Sequence, residues 1–233
     1  MAELDYVGGE LGLFAAATNW KSYYGRLLEP FIKGNVLEVG AGIGGTMPFL
    51  WNDSVSSWLC LEPDPALALE LEDRIRNFTR GKVKSKVGTI DDIPATESFD
   101  SILYIDVLEH IKRDKEELGR AAQHLAAGGR IIVLSPAFQS LFSPFDAALG
   151  HERRYTAKTL AAAFPRGLKQ EKLFYADSVG AMLSFSNRLL LKKSMPTVTQ
   201  IRFWDKVIIP VSRVVDPLVR PLFGRSVIAV FRK

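Results

Sequence analysis

The chain has 233 residues, of which 47% are hydrophobic and 24% charged, and its formal net charge is +4. This composition predicts one globular domain over residues 1–233, and the single cysteine, Cys60, excludes an intrachain disulfide and favours a reducing compartment. The first residues lack the basic head and apolar block of a secretory signal, and no apolar run approaches the ~20 residues that span a bilayer. We therefore expect a cytoplasmic protein, with peripheral membrane contact still open.

Apolar stretches alternate with helical patterns along the chain. The patterns predict N-terminal cap helices within residues 1–34, further helices at 46–51, 65–78 and 114–127, and strands at 36–39, 57–61, 82–87, 98–105, 130–134, 172–176 and 226–231. Strands that alternate with helices indicate right-handed βαβ units. The fold class is therefore α/β, with a doubly wound sheet covered by helices on both faces.

The first strand runs into a glycine-rich turn that contains Gly40, Ala41, Gly42 and Gly44. Glycine lets the backbone turn tightly and approach a ligand without an intervening side chain. The same glycines satisfy the dinucleotide-binding fingerprint, which is a weak signal by itself. Glu38 precedes the turn by two residues and is placed to meet an amino or hydroxyl group of a ligand, whereas a dinucleotide site favours an apolar residue there.

A second acid, Glu62, ends the second strand and is followed by Pro63. Ligands of open α/β sheets bind beyond the carboxyl ends of the strands. An acid at this place can accept hydrogen bonds from both ribose hydroxyls of an adenosine, and Pro63 can pack against the adenine. A solvated acid at a strand end is the simpler alternative.

Two later motifs complete the pattern: residues 88–94 (GTIDDIP) follow the third strand, and residues 99–111 (FDSILYIDVLEHI) span the fourth. In this order, the motifs resemble those of the class I S-adenosylmethionine (SAM)-dependent methyltransferases, specifically small-molecule enzymes related to the quinone-biosynthesis methylases. The resemblance covers about residues 19–155 and the final strand. It implies a Rossmann-like sheet of seven strands, the last one antiparallel and inserted between the fifth and sixth.

The resemblance also implies SAM as cofactor. Its binding residues would be Glu38, Gly40, Ala41, Gly42, Gly44, Glu62, Pro63, Ile90, Asp91 and Asp106. Ile90 would pack on the adenine, and Asp106 would lie where the methionine part of SAM meets the substrate. Thr89 departs from the family pattern by replacing the usual acid, so the adenine amino group would rely on Asp91, a backbone carbonyl or water.

Residues 136–155 read as a long substrate loop at the ligand face, because they are rich in proline, phenylalanine and polar residues. The loop ends in a His-x-Arg-Arg-Tyr sequence that resembles a subgroup of these methyltransferases. Arg153, Arg154 and Tyr155 are the predicted acceptor-binding residues, since adjacent arginines bind a carboxylate or phosphate well. Alternatively, the arginines pair with acids of the protein, such as Asp146, and pin the loop.

The predicted reaction is methylation of a hydroxyl on a small or lipid-linked acceptor. His151 is the first candidate for the general base, because the unperturbed pKa of histidine is about 6.5, and Asp106 and His110 are the alternatives. His110 also fits a structural, hydrogen-bonded role. No cluster of acids and histidines stands out as a metal site in the sequence, so the expected chemistry is metal-independent.

Residues 177–225 form an insertion before the last strand, with eight basic residues against three acids and apolar residues at helical spacing. A helical lid or a homodimer surface is one interpretation, and an apolar tunnel or membrane contact is the other. The basic excess belongs to this one segment, so nucleic acid is not the expected partner. Two rival functions remain: an NAD(P)-dependent oxidoreductase and a non-catalytic methyltransferase-like partner subunit.

Overall fold

The computed structural model describes residues 16–76, 78, 81–190, 197–219 and 222–233, with no side chains described for 187–190. One sheet contains seven strands: β1 (Gly34–Val39), β2 (Val55–Glu62), β3 (Val83–Val87), β4 (Phe99–Ile105), β5 (Leu125–Pro136), β6 (Lys169–Ala176) and β7 (Ser226–Arg232). Their order is β3-β2-β1-β4-β5-β7-β6. Only β7 runs antiparallel to its neighbours, as in the pairing of Ile132 with Val230. The predicted fold class is confirmed.

Helices lie between the strands and before the last one. They are α1 (Thr18–Leu28), α2 (Met47–Leu50), α3 (Pro65–Ile75), α4 (Asp114–Gln123), α5 (Pro144–Ala148), α6 (Ala157–Ala161), α7 (Ser178–Leu190), α8 (Val198–Phe203) and α9 (Ile209–Val219). A π-helical turn, Trp204–Ile208, joins α8 to α9. None of the helices among these described residues is long and apolar enough to cross a membrane.

The boundary between α4 and β5 differs from the sequence prediction. The helix was expected to reach residue 127, but α4 ends at Gln123 and β5 begins at Leu125. Leu125 pairs with Phe99 at the start of β4, and the register then shifts before Arg130 pairs with Ser101. The strand pairing therefore overrides the helical pattern, and Gly128, at φ +73°, lies within a strand irregularity rather than at the end of the helix.

Alternate residues of the central strands face two apolar layers. On β4, Leu103 and Ile105 belong to the layer that contains α1, whereas Ile102 and Tyr104 belong to the opposite layer. Cys60 of β2 is fully buried in the first layer, as expected for a strand thiol. The order of the strands reverses between β1 and β4, so a crevice opens beyond their carboxyl ends.

The inserted helices are attached to α1 through buried carboxylates. Asp205 accepts hydrogen bonds from the backbone N–H groups of Asn19 and Trp20, at 3.2 and 2.9 Å, and so caps the start of α1. Asp216 accepts one from the Tyr23 hydroxyl at 2.6 Å. The described part of the predicted N-terminal cap is thus one helix locked to the insertion, while residues 1–15 lie outside the described residues.

The same carboxylates join the insertion to the end of β6. Asp216 also accepts from the backbone N–H groups of Asp177 and Ser178, at 2.7 and 2.9 Å. Asp177 in turn accepts from the Ser212 hydroxyl and from the indole N–H of Trp204, both at 2.7 Å. The described helices of the insertion therefore pack on α1 and on the end of β6, and we refer to them as the lid. Residues 191–196 and 220–221 of this segment lie outside the described part.

The Asp216→Ala variant is expected to lower the free energy of unfolding by about 3 kcal/mol or more, since it leaves several buried donors without an acceptor. Chemical denaturation followed by circular dichroism measures the loss. The control is Asp73→Ala, which removes an exposed acid on α3 and should cost less than about 0.5 kcal/mol. Equal stability of the two variants would show that Asp216 does not hold the lid.

Candidate active site

The glycine turn after β1 adopts backbone angles that favour glycine. Gly40 has φ +68° and Gly42 has φ +54°. A Cβ atom at Gly40 would lie 2.7 Å from a methyl carbon of Val107, which follows β4. The turn therefore needs glycine for its conformation and for the close approach of the β4 loop.

Glu62 fixes this turn from the neighbouring strand. One carboxylate oxygen accepts a hydrogen bond from the Gly42 N–H at 2.7 Å, and the other accepts one from the Asp64 N–H at 3.0 Å. Burial raises the pKa of Glu62, and the two backbone hydrogen bonds oppose this shift. A carboxylate has about four acceptor positions, so it can still receive the hydroxyls of a ribose.

A cavity of about 690 Å³ lies at this switch point, a size that suits a cofactor with a small substrate. Glycine-turn residues, the ends of β2 and β4, α1, and the substrate loop all contribute to its wall. Predicted site residues among its lining are Gly40, Ala41, Gly42, Glu62, Pro63, Asp91, Asp106, His110, His151 and Arg154.

Asp106 stands where β4 ends, in a backbone conformation that is unusual for a residue other than glycine. Its φ is +54°, and its N–H donates to the carbonyl of Leu134 at 2.8 Å. The side chain faces the cavity. Desolvation by the surrounding protein raises the pKa of Asp106 to about 6, although the charges of His151 and Arg225 oppose the shift. Such a strained residue in a cleft is typical of a functional site.

Two histidines from distant parts of the sequence meet beside Asp106. The rings of His110 and His151 are 4.5 Å apart at their centroids and nearly perpendicular. Burial, together with the charge of His151, lowers the pKa of His110 to about 4, so this imidazole is neutral near pH 7. Glu109 is fully buried next to them, and burial followed by the charge of Asp106 raises its pKa well above the usual range.

The orientation of His151 is set by Asp146 of α5. The Nδ1 atom of His151 lies 3.0 Å from one carboxylate oxygen of Asp146, whose own side chain is buried. The Arg154 guanidinium also donates two hydrogen bonds to the Asp146 carboxylate, at 2.7 and 3.0 Å. Although burial alone would raise the pKa of Asp146, the hydrogen bonds from His151 and Arg154 hold it far below the usual range. Within the described part of the chain, the Nε2 atom of His151 has no hydrogen-bond partner.

The other two predicted acceptor-binding residues lie away from the cavity. Arg153 pairs with Asp114 at 2.9 Å, and the buried Tyr155 donates its hydroxyl hydrogen bond to the same carboxylate at 2.7 Å. Arg154 lines the cavity, but its guanidinium is committed to Asp146. These contacts correspond to the alternative in which the arginines pin the loop, and they position His151.

Two predicted cofactor residues also lie behind the cavity wall. Glu38 is 2% exposed, and its carboxylate accepts from the indole N–H of Trp58 at 2.9 Å. Ile90 is 1% exposed in the second apolar layer. Gly44 is also outside the lining of the large cavity, whereas Asp91 lines it and pairs with Arg120 at 2.9 Å.

Sequence analysis missed several cavity residues, most of which lie outside the motifs, although Glu109 lies within the 99–111 motif. Lys21 and Tyr24 reach the cavity from α1, Trp204 and Arg225 reach it from the insertion and the approach to β7, and Glu109 reaches it beside β4. Burial lowers the pKa of Lys21 and Arg225. The helical spacing of Trp20 and Tyr24 was the one signal available for α1.

Comparison with known proteins agrees with this geometry. Residues 37–131 match a family model described as a methyltransferase domain. A comparison with curated protein sequences finds no match. Similarity to solved structures extends over nearly the whole chain, although the sequence identities are low.

Three of the similar structures illustrate this. Geranyl diphosphate methyltransferase in complex with SAM has 14% identity and a TM-score of 0.66, with 94% of this chain and 88% of that chain covered. The complex of the Trm112 methyltransferase activator with a methyltransferase from Haloferax volcanii has 17% identity and a TM-score of 0.65, with 97% of this chain and 93% of that chain covered. A sarcosine dimethylglycine methyltransferase from Galdieria sulphuraria has 18% identity and a TM-score of 0.60, with 93% of this chain and 85% of that chain covered.

The fold is that of the class I SAM-dependent methyltransferases, as the sequence motifs predicted. The methyltransferase domain match covers the strands that build the cavity, from within β1 to within β5. Proteins of this class use SAM, which is the cofactor expected from the motifs. The more specific resemblance to quinone-biosynthesis enzymes stays a prediction.

Burial raises the pKa of Glu38 to about 7, well above the usual value near 4.5, although hydrogen bonds from Trp58 and Cys60 oppose the shift. A raised carboxyl pKa stabilises the fold below pH 4.5, and this contribution is lost as the pH rises towards 7. The Glu38→Gln variant should therefore gain about 2–3 kcal/mol relative to the wild type between pH 4.5 and 8. Denaturant titrations of both proteins across this range measure the difference, and a constant difference would contradict the shift.

Proposed function

We propose that this protein transfers the methyl group of SAM to a hydroxyl of a small or lipid-linked acceptor. The observation that carries the proposal is the joint geometry of the glycine turn, Glu62 and the cavity at the switch point. In the proposed complex, Glu62 receives the ribose hydroxyls, the turn receives the methionine part, and Asp91 contacts the adenine edge. Asp106 then lies where the cofactor meets the substrate end of the cavity.

The substrate end is the cluster of Asp106, His110 and His151. SAM carries an activated methyl group, so the protein needs chiefly to align the acceptor oxygen, methyl carbon and sulfur. A hydroxyl must also lose its proton, and this polar cluster is the part of the cavity that can assist. We assign acceptor activation to the cluster, with Arg154 and Asp146 as positioning residues for His151.

An NAD(P)-dependent oxidoreductase is the competing function, since it uses a similar glycine turn and a ribose-binding acid. Hydride transfer has no need for the cluster of Asp106, His110 and His151. A non-catalytic subunit is the second competitor, and methyl transfer by the isolated chain excludes it.

The Glu62→Ala variant tests the cofactor. Calorimetric titration with S-adenosylhomocysteine should show binding to the wild type and a loss of affinity of at least about tenfold in the variant, since charge-assisted hydrogen bonds to ribose are removed. NADH titrated under the same conditions should not bind.

The matched control is Glu72→Ala, which removes a partly exposed glutamate on α3, outside the cavity. This variant should bind S-adenosylhomocysteine like the wild type. A folded wild-type protein that binds NADH but not S-adenosylhomocysteine would overturn the proposed function in favour of the oxidoreductase.

The lipid-linked acceptor and a peripheral membrane contact are supported by the outer face of α8 and α9. Apolar side chains form a row along these helices, and several are strongly exposed: Phe203 (55%), Val207 (46%), Val211 (46%), Val214 (75%) and Leu218 (83%). Their spacing places them on one side of the helices, opposite the buried Asp205, Ser212 and Asp216. We call this row the outer apolar row.

The exposed and partly exposed charges of segment 198–219 are all positive. Arg202 and Lys206 are exposed and Arg213 is partly exposed, whereas Asp205 and Asp216 are buried in the contacts with α1 and β6. The folded segment 198–219 thus presents only cationic charge, with apolar side chains alongside. This combination fits an anionic bilayer surface, and Trp204 of the same segment lines the cavity.

Vesicle flotation tests the membrane contact. The wild type should float with vesicles that contain anionic phospholipid, and less so at high salt. The double variant Arg202→Glu with Lys206→Glu should bind at least about 30-fold more weakly, since each basic residue contributes about 1 kcal/mol.

The control for flotation is Lys82→Glu with Lys84→Glu, a matched change of charge at the start of β3, at the opposite edge of the sheet. It should float like the wild type. If the wild type never floats and sediments as a dimer that Leu218→Glu dissociates, a second copy covers the row and the membrane contact is overturned.

A further inference from the structure

Three potential metal ligands converge at the substrate end of the cavity. Glu109, His110 and His151 each bring one ligand atom to within 4.8 Å of the others. Bonds of about 2.1 Å to one ion require ligand atoms about 3–4 Å apart, which small side-chain rotations can provide. His151 lies 41 residues beyond His110 in the chain, so this grouping is absent from the sequence pattern and contrasts with the expected metal-independent chemistry.

The carboxylate of Glu109 supplies an independent sign of a ligand. Its Oε2 atom accepts from the Ser135 hydroxyl at 2.9 Å, but its Oε1 atom is buried without a hydrogen-bond partner. Burial of an unpaired carboxylate oxygen is costly, and such atoms are rare in folded proteins. Because Glu109 lines the cavity, a bound cation would satisfy this oxygen.

Two of the three side chains are also held by a second group. Ser135 donates a hydrogen bond to Glu109, and Asp146 holds the Nδ1 atom of His151. Metal-binding histidines in proteins characteristically use their other ring nitrogen in this way.

We propose that Glu109, His110 and His151 bind a divalent transition-metal ion that holds the acceptor hydroxyl. Two histidines and one carboxylate leave further coordination positions open, as in catalytic zinc and non-haem iron sites. The inference rests on the proposed function and specifies how the cluster activates the acceptor, with His151 as a ligand instead of a free base.

The reaction then balances without an additional reagent. The cation lowers the proton affinity of the bound hydroxyl, which releases its proton to water. The acceptor oxygen forms a bond to the methyl carbon while the bond from that carbon to the sulfonium sulfur breaks. The products are the methyl ether and S-adenosylhomocysteine.

Cobalt(II) is the probe for this site, because its visible absorption reports protein nitrogen and oxygen ligands without any turnover. The chelator-treated wild type should bind one Co²⁺ per chain with a new visible spectrum. The His110→Ala and His151→Ala variants should bind Co²⁺ at least about tenfold more weakly, because each lacks one ligand. Both residues are at least partly exposed, so these variants are expected to fold, and thermal unfolding checks this.

The matched control is His124→Gln, which removes the remaining one of the three histidines in the chain. His124 lies outside the cluster, with its Nδ1 atom 3.1 Å from the carbonyl of Glu97, so this variant should retain the Co²⁺ spectrum and affinity. Equal Co²⁺ affinity of the wild type and both alanine variants would overturn the site, as would full methyl transfer by the metal-free protein.

Titration with S-adenosylhomocysteine in parallel separates this inference from the proposed function. A protein that binds S-adenosylhomocysteine but not Co²⁺ disproves the cation site alone. A protein that binds Co²⁺ through the two histidines but fails to bind S-adenosylhomocysteine disproves the proposed function and leaves the cation site standing.

Discussion

The hydrogen bond from the Gly42 N–H to the Glu62 carboxylate is the contact on which the cavity depends. It joins the turn after β1 to the end of β2, beside the crevice where the strand order reverses between β1 and β4. Because Glu62 also accepts from the Asp64 N–H, the carboxylate is oriented before any ligand arrives. Preorganisation of this kind lowers the entropic cost of binding.

Buried acids also hold the lid in place, but they bind parts of the protein to one another and do not face a ligand. Asp177, Asp205 and Asp216 are buried and bind the lid to α1 and the end of β6. This arrangement places Trp204 in the cavity wall and turns the basic side chains outwards. A segment that reads in sequence as a mixture of charges therefore becomes a surface of one sign, which is the basis of the proposed membrane contact.

Two separate sets of ion pairs and hydrogen bonds hold the substrate loop. Arg153 and Tyr155 hold the loop through Asp114, and Arg154 holds Asp146, which in turn orients His151. Within the His-x-Arg-Arg-Tyr sequence, Arg154 and His151 thus share Asp146, whereas Arg153 and Tyr155 share Asp114. Ion pairs with so little solvent around them are costly to break, because removing one partner leaves a buried charge.

The sequence by itself determined the sheet, the glycine turn and the positions of Glu62 and Asp106. These features depend on local periodicity and on residues at strand ends, which parallel strands necessarily bring to one edge. Only the tertiary structure decided that Glu38 faces Trp58, that the lid acids are buried, and that Glu109, His110 and His151 meet. Those contacts join residues distant along the chain, and their formation depends on packing and burial, for which a linear pattern carries no signal.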